Sequence, residues 1–172
     1  MKIPLSNGGF AIIDDADYDI VKGRKWERIK PFNSTTFYAF TRPTINGVRI
    51  RISMHRLIIG VTDKTLKVDH RNRDGLDNQR SNLRIATPTQ SNANRAVPKN
   101  NHSGFKGVRR SSYNRWRAQI RIQGNLINLG TFGSSVQAAH AYDLAAVKHW
   151  GEFAWTNLEP SAFTNPTSYF QP

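Results

Sequence analysis

Asp69 and His70 stand side by side, and Asn82, Ser91, Asn92 and Asn94 follow them in an amide-rich stretch that reads V-D-H-R-N-R-D-G-L-D-N-Q-R-S-N-L-R-I-A-T-P-T-Q-S-N-A-N-R. A carboxylate is a hard oxygen ligand suited to Mg²⁺ or Mn²⁺. A neutral imidazole can take a proton from water near neutral pH. If both residues lie on one strand they point to opposite faces, so each can do a different job. The amide of Asn82 can orient the imidazole ring, and a further metal ligand is expected from the first turn of a following helix. Together these groups describe a site that activates water next to a divalent cation.

The elements that must carry these residues can be read from the surrounding pattern. Val68 ends a short strand, residues 71–78 form a polar loop shaped by Asp74 and Asp77, and Leu83–Ala86 returns as a strand. Pro88 suits the first turn of a helix running through Gln90–Ala96. The order is strand, loop, strand, helix. Upstream, residues 1–60 hold β-prone pieces at Phe10–Ile13, Thr36–Thr41 and Val48–Ser53, separated by Asn7–Gly8–Gly9 and Asn46–Gly47 turns. Met54–Ile59 reads as a short helix stopped by Gly60. His55 on that helix is expected to bond backbone beneath the site.

The charge pattern indicates the substrate. The chain has 172 residues with 25 Lys+Arg against 12 Asp+Glu, a formal charge of +13. No acidic residue occurs between Asp77 and Asp143, an interval that holds Arg80, Arg84, Arg95, Lys99, Lys106, Arg109, Arg110, Arg115, Arg117 and Arg121. Such a stretch favours a polyanion whose phosphates it can neutralise with counterion release, over a merely solvated basic face or an anionic membrane surface. No long apolar run suggests a membrane span, and no charged-then-apolar N-terminus suggests a signal peptide. The absence of cysteine excludes disulfides and zinc–cysteine sites and fits a reducing cytoplasm.

Beyond a polar linker at 97–102, three further strands are expected at Gly104–Arg109, Arg115–Ile122 and Leu126–Phe132, with turns at Asn114 and Gly124–Asn125. A helix capped by Ser134 or Ser135 then runs to about Trp150, rich in alanines that let it lie close on a sheet. Alternation puts Arg115, Arg117, Gln119 and Arg121 on one face and Trp116, Ala118, Ile120 and Ile122 on the other. The predicted fold class is therefore α+β: a unit over 1–96 with a β-rich scaffold and a strand, loop, strand, helix motif, a three-stranded antiparallel sheet packed on one helix over 103–160, and a tail over 161–172.

Two resemblances sharpen this reading. The pattern V-D-H-x-N-x-D-G-x-x-D-N-x-x-S-N-L-R-x-x-T resembles the HNH endonucleases, in the asparagine-substituted subgroup found among phage and intron-encoded homing enzymes. It implies a ββα-metal site with Asp69 as ligand, His70 as general base and Asn82 as the middle polar residue. The family's last ligand is usually an asparagine four residues after the motif threonine. Here that position is Ser91, so the ligand is either Ser91 or the neighbouring Asn92. The segments F-K-G-V-R, W-R-A-Q-I-R, L-G-T-F, A-A-x-A-Y-D-x-A-A and G-E-F-A-W-T-N resemble the plant ethylene-response-factor type of DNA-binding domain. That resemblance implies a sheet lying in the major groove, with Lys106, Arg109, Tyr113, Gln119 and Arg121 at contact positions. Strand parity adds Arg115 and Arg117, and Arg95 is a further candidate for a phosphate. This segment departs from plant members at Ser111, Leu126 and Asn128, so their base preference does not carry over.

The sequence thus predicts a site-selective homing-type DNA endonuclease that uses Mg²⁺ or Mn²⁺ on double-stranded DNA, as a monomer or weak homodimer, nicking one strand per active site. The alternatives are a DNA-binding regulator weakened in catalysis and a basic RNA-binding protein.

Overall fold

The computed structural model describes residues 1–158 apart from 33, 35 and 99. The expected tail at 161–172 and the basic Lys99 lie outside the described residues. The chain divides into two compact units, Met1–Ser91 and Asn92–Pro172. Both mix strand and helix, as the α+β reading expects.

The first unit opens with a hairpin of β1 (Lys2–Pro4) and β2 (Phe10–Ile12). After a 3₁₀ turn at Asp15–Asp17 comes the short helix α1 (Tyr18–Val21). A small antiparallel sheet follows in the order β3 (Glu27–Ile29), β4 (Tyr38–Thr41), β7 (Ile52–Ser53). Between β4 and β7 lies a separate hairpin, β5 (Thr44–Ile45) and β6 (Val48–Arg49), turned by Asn46 and Gly47 at positive φ. Helix α2 (Met54–Ile59) ends on Gly60 in the left-handed conformation that glycine adopts without steric cost. The expected strand Val48–Ser53 is thus two short ones, and β1, β3 and α1 are additions too short for periodicity to reveal.

The ribbon of β8 (Lys67–His70) and β9 (Leu83–Ala86) pairs Lys67 with Ala86, Val68 with Ile85, Asp69 with Arg84 and His70 with Leu83. Val68 and Leu83 join a core with Ile13, Val21, Trp26, Met54 and Ile58. Helix α3 spans Pro88–Ala93, shorter at its C-terminus than the sequence suggests. Thr87 opens it, taking Gln90 N on its hydroxyl at 3.3 Å while Gln90 Oε1 accepts from Thr87 N at 2.8 Å.

The second unit is a three-stranded antiparallel sheet ordered β10 (Val108–Arg110), β11 (Trp116–Ile122), β12 (Asn125–Phe132), with α4 (Ser135–Trp150) packed on one face. Ser134 and Gln137 form a reciprocal capping box at the start of α4. Ala138, Ala139, Tyr142 and Ala146 are buried against Val108, Ala118 and Ile120. The first strand begins later than expected because Gly104 and Gly107 both hold positive φ. At Gly107 a Cβ would lie 2.0 Å from the Tyr142 ring, so only glycine permits this approach. The buried Asp143 carboxylate accepts from the backbone N–H of Asn157 and Leu158 and from Asn157 Nδ2. Asn157 in turn takes Lys106 N on Oδ1 at 2.6 Å and gives Nδ2 to Lys106 O at 3.1 Å. The Y-D and W-T-N motifs are therefore two halves of one polar clasp.

Candidate functional site

Alternation along β8 sends Asp69 and His70 to opposite faces of the ribbon, and each finds a different environment. His70 is buried at 4% exposure, with its ring centroid 5.1 Å from His55 and 5.6 Å from Tyr38. Its Nε2 lies 3.3 Å from Asn78 Oδ1. Asn78 Nδ2 donates to Leu76 O at 3.1 Å, which fixes the amide with its oxygen toward the imidazole. An amide oxygen only accepts, so Nε2 carries the proton in the neutral ring and Nδ1 carries the lone pair. Burial lowers the His70 pKa below its ordinary value, opposed by the Asn78 hydrogen bond and by Asp69, Asp74 and Asp77. The ring is held as a neutral base.

Asn82 does not meet the imidazole, and this corrects the sequence reading. It sits in the turn just before β9, where its Oδ1 accepts from Asn72 N at 3.0 Å and its Nδ2 donates to Asn72 Oδ1 at 3.0 Å and Asp77 O at 2.8 Å. Its work is to close the loop between the strands. Asn78, at the loop's end, makes the contact expected of Asn82. The loop is also docked on β2, with Ile12 N donating to Leu76 O and Asn78 N to Ile12 O. Gly75 allows a close approach to β4, because a Cβ there would lie 2.3 Å from Phe37 O. At its far side, the Arg80 guanidinium grips the buried Asp17 carboxylate at 2.7 to 3.0 Å. Asp74 and Asp77 shape the loop as expected, accepting from Leu76 N and Asn72 Nδ2.

His55 contacts rings rather than backbone. Its Nδ1 is buried with no hydrogen-bond partner among the described residues. Burial, then the neighbouring His70 and Arg56, push its pKa down to about 3.

On the other face, Arg84 holds Asp69. Its Nε and Nη2 both donate to Asp69 Oδ2, at 2.9 and 2.8 Å, and both side chains are buried. Asp69 Oδ1 lies 3.5 Å from the Ser91 hydroxyl, which donates to it. Asn92 is the next residue on α3 and begins the second unit. Among the described residues no group of three or more His, Cys, Asp or Glu side chains gathers as a metal cage. The donors at Asp69 are instead one carboxylate and a neutral hydroxyl oxygen. That set fits a hard cation such as Mg²⁺, which commonly takes one or two protein carboxylates and completes its shell with water and substrate phosphate. The Arg84 pair was not anticipated from sequence, although Arg84 is placed by register directly opposite Asp69.

In the second unit the arginine face forms as alternation requires. Arg109 pairs with Arg117 across β10 and β11, and Gln119 and Arg121 continue the row. Arg109, Arg115 and Arg121 are exposed, and Arg117 and Gln119 are half-buried. Arg115 Nη2 donates to Thr131 O at 3.0 Å, which holds its guanidinium at the sheet edge. Tyr113, at φ 55° in the β10–β11 turn, is 96% exposed and so packs on nothing. Trp116 packs into the core as expected, with the Arg110 guanidinium over its ring. Lys106 does not join this face. Its Nζ donates to Ala93 O at 2.6 Å and Arg95 O at 2.7 Å, which ties it to the start of its own unit. Arg95 is exposed there.

A buried imidazole next to a carboxylate, on a ribbon followed by a short helix, brings together a proton acceptor and an oxygen ligand. No protein-family model matches the chain. It is 30% identical over 151 residues to an uncharacterised HNH endonuclease of Acanthamoeba polyphaga mimivirus, spanning 87% of this chain and 75% of that one. The chain belongs to the HNH endonuclease family. It is also 40% identical over 77 residues to dehydration-responsive element-binding protein 2D of Arabidopsis thaliana, spanning 44% of this chain and 37% of that one. Against the AP2-like ethylene-responsive transcription factor ANT of the same plant it is 47% identical over 58 residues, 32% of this chain and 10% of that one. The chain thus covers only a minor part of these plant relatives. Among the described residues no helix is long and apolar enough to cross a membrane.

Proposed function

We propose that the chain is a homing-type DNA endonuclease that hydrolyses phosphodiester bonds in duplex DNA at sites chosen by its arginine sheet. The observation that carries this reading is the division of labour on β8: His70 is kept neutral and oriented on one face, and Asp69 is presented beside Ser91 on the other. In this reading His70 Nδ1 takes the proton from the attacking water while Asn78 holds the opposite nitrogen. Asp69, with Ser91 or Asn92, would hold a divalent cation, Mg²⁺ or Mn²⁺. Bound there, such a cation would supply stabilisation of the negative charge growing on the departing oxygen. Asn82 keeps the loop closed so that Asn78 stays in place. A single site per chain nicks one strand, and a double-strand break needs two chains or two events.

The arginine face supports duplex DNA as the partner. Like charges directly opposite on a sheet are destabilising, yet Arg109 faces Arg117 in register with no acidic residue nearby in sequence. An anionic partner relieves that cost. A second reading, a DNA-binding regulator weakened in catalysis, is favoured by the Arg84 guanidinium on Asp69 Oδ2 and by Ser91 at the asparagine position. Supercoiled plasmid incubated with the full chain and Mg²⁺ or Mn²⁺ separates the two. Nicking that is lost in His70→Ala is expected. Intact DNA binding with no nick under either metal would establish the regulator instead.

A further inference from the structure

The register of β11 on β12 lays out the exposed face of the sheet as rows. Arg117 stands opposite Thr131, Gln119 opposite Asn128 and Arg121 opposite Leu126. The rows differ in how far the protein itself occupies them. Arg117 Nη2 reaches Ser111 Oγ at 3.4 Å, and Arg121 Nη1 donates to Gly124 O at 2.7 Å. The side-chain amide of Gln119 makes no hydrogen bond to a described residue. Asn128 accepts from Gly130 N on Oδ1 at 3.3 Å, and its N–H₂ group has no acceptor among the described residues. Leu126 is 53% exposed on this otherwise polar face, on the side of the sheet away from α4.

A row of two amides between rows headed by arginine is a mixed surface, and its chemistry is not that of a phosphate clamp. An amide presents a donor beside an acceptor, which matches the N6–H₂ and N7 of adenine in the major groove. Guanine offers only acceptors there and suits an arginine fork. The thymine methyl is the one apolar group on a major-groove edge, so a half-exposed leucine has a partner there and none on the backbone. Residues on one strand face recur about every 6.8 Å, or about two base-pair steps of roughly 3.4 Å.

We infer that Gln119, supported by Asn128, reads an adenine and that Leu126 packs on a thymine methyl, so that the recognised site carries A·T pairs beside the guanines addressed by arginine. This rests on the reading that the sheet enters the major groove of duplex DNA. It goes beyond that reading by naming which bases the face distinguishes and which residues do so.

The test is selection of bound duplexes from a randomised library by the full chain in chelator, which prevents cutting. The wild-type consensus is expected to hold an A·T position at which adenine is favoured about tenfold or more. Gln119→Ala should lose that preference alone, and Gln119→Glu should move it toward cytosine, whose N4 amino group a carboxylate accepts from. Replacing the contacted thymine by deoxyuridine removes only the methyl. It should weaken wild-type binding several-fold and leave Leu126→Ala unaffected. A consensus of G·C pairs only, an adenine preference that survives in both Gln119 variants, or indifference of the wild type to deoxyuridine would each overturn the inference while leaving the DNA-reading sheet intact. No duplex binding at all, or a preference for RNA over duplex, would overturn both. Melting curves matching the wild type establish that each variant is folded.

Discussion

Arg84 stands directly across the β8–β9 ribbon from Asp69 and places two N–H donors on one carboxylate oxygen, so the candidate metal ligand is half of a buried ion pair. The pair has two consequences that pull apart. It holds the carboxylate in one orientation, toward Ser91. It also neutralises charge that would otherwise attract a cation.

Removing one member of a buried pair leaves the other uncompensated, at a cost of about 3–5 kcal/mol. Arg84→Ala is therefore expected to destabilise the fold by about 3 kcal/mol, read from urea unfolding. Adding Asp69→Ala to it should recover much of that loss, giving a large coupling energy in the double-mutant cycle. Millimolar Mg²⁺ should restore stability to Arg84→Ala but not to the double variant. Additive single effects would show that the pair carries no energy.

The His70 site predicts a pH profile. Burial lowers the His70 pKa, so the neutral, proton-accepting form persists below the ordinary imidazole range near 6.5. Nicking is expected to stay level from pH 8 down past that value and fall only at lower pH. Asn78→Asp puts a carboxylate beside Nε2, favours the imidazolium and should move the acidic limb of the profile upward. A variant that only loosened the fold would reduce the rate without moving the limb, and that outcome would remove Asn78 from the site.

His55 links stability to pH. Its pKa is about 3 in the folded chain against 6.5 ordinarily, so between those values the unfolded chain takes up a proton that the folded chain does not. Stability from this residue is complete above pH 6.5 and is lost as pH falls through that window, with a slope of up to about 1.4 kcal/mol per pH unit. His55→Phe keeps an aromatic ring against Tyr38 and His70 and removes the proton. Its unfolding midpoint should depend less steeply on pH between 6.5 and 4.5 than the wild type's. Parallel curves would contradict the assignment.

Arg109 and Lys106 are expected to behave differently although both are basic residues of the second unit. The Arg109 side chain is exposed and makes no hydrogen bond or ion pair to a described residue, so Arg109→Ala should reduce the slope of log affinity against log salt by about 0.9. Lys106 donates to two backbone carbonyls, so Lys106→Ala should leave that slope alone and cost about 1–2 kcal/mol of stability. Filter binding over a salt series and thermal melting distinguish the two. An equal loss of slope in both would return Lys106 to the interface.

The sequence by itself determined the elements whose signals are local. Alternation in Arg115–Ile122 separated an arginine face from a core face, Gly60 marked the end of one helix and Ser134 or Ser135 the start of another, and Leu83–Ala86 was legible as the returning strand. Strand geometry has a period of two, so Asp69 and His70 point to opposite faces once both lie on a strand, and it is the structure that carries β8 past Val68 to His70. Tertiary structure alone decided who their partners are. Asn78 rather than Asn82 meets His70 because the loop's course is set by Asn82, Asp77 and the docking on β2. Arg84 reaches Asp69 because the ribbon's register makes them opposite, and register depends on a loop whose closure no spacing rule gives. Lys106 turns away from the sheet because Asn157 clamps its backbone and the carbonyls of Ala93 and Arg95 lie within reach of its amine. Residue type and spacing report what a side chain can do; which neighbour it meets is settled by long-range packing.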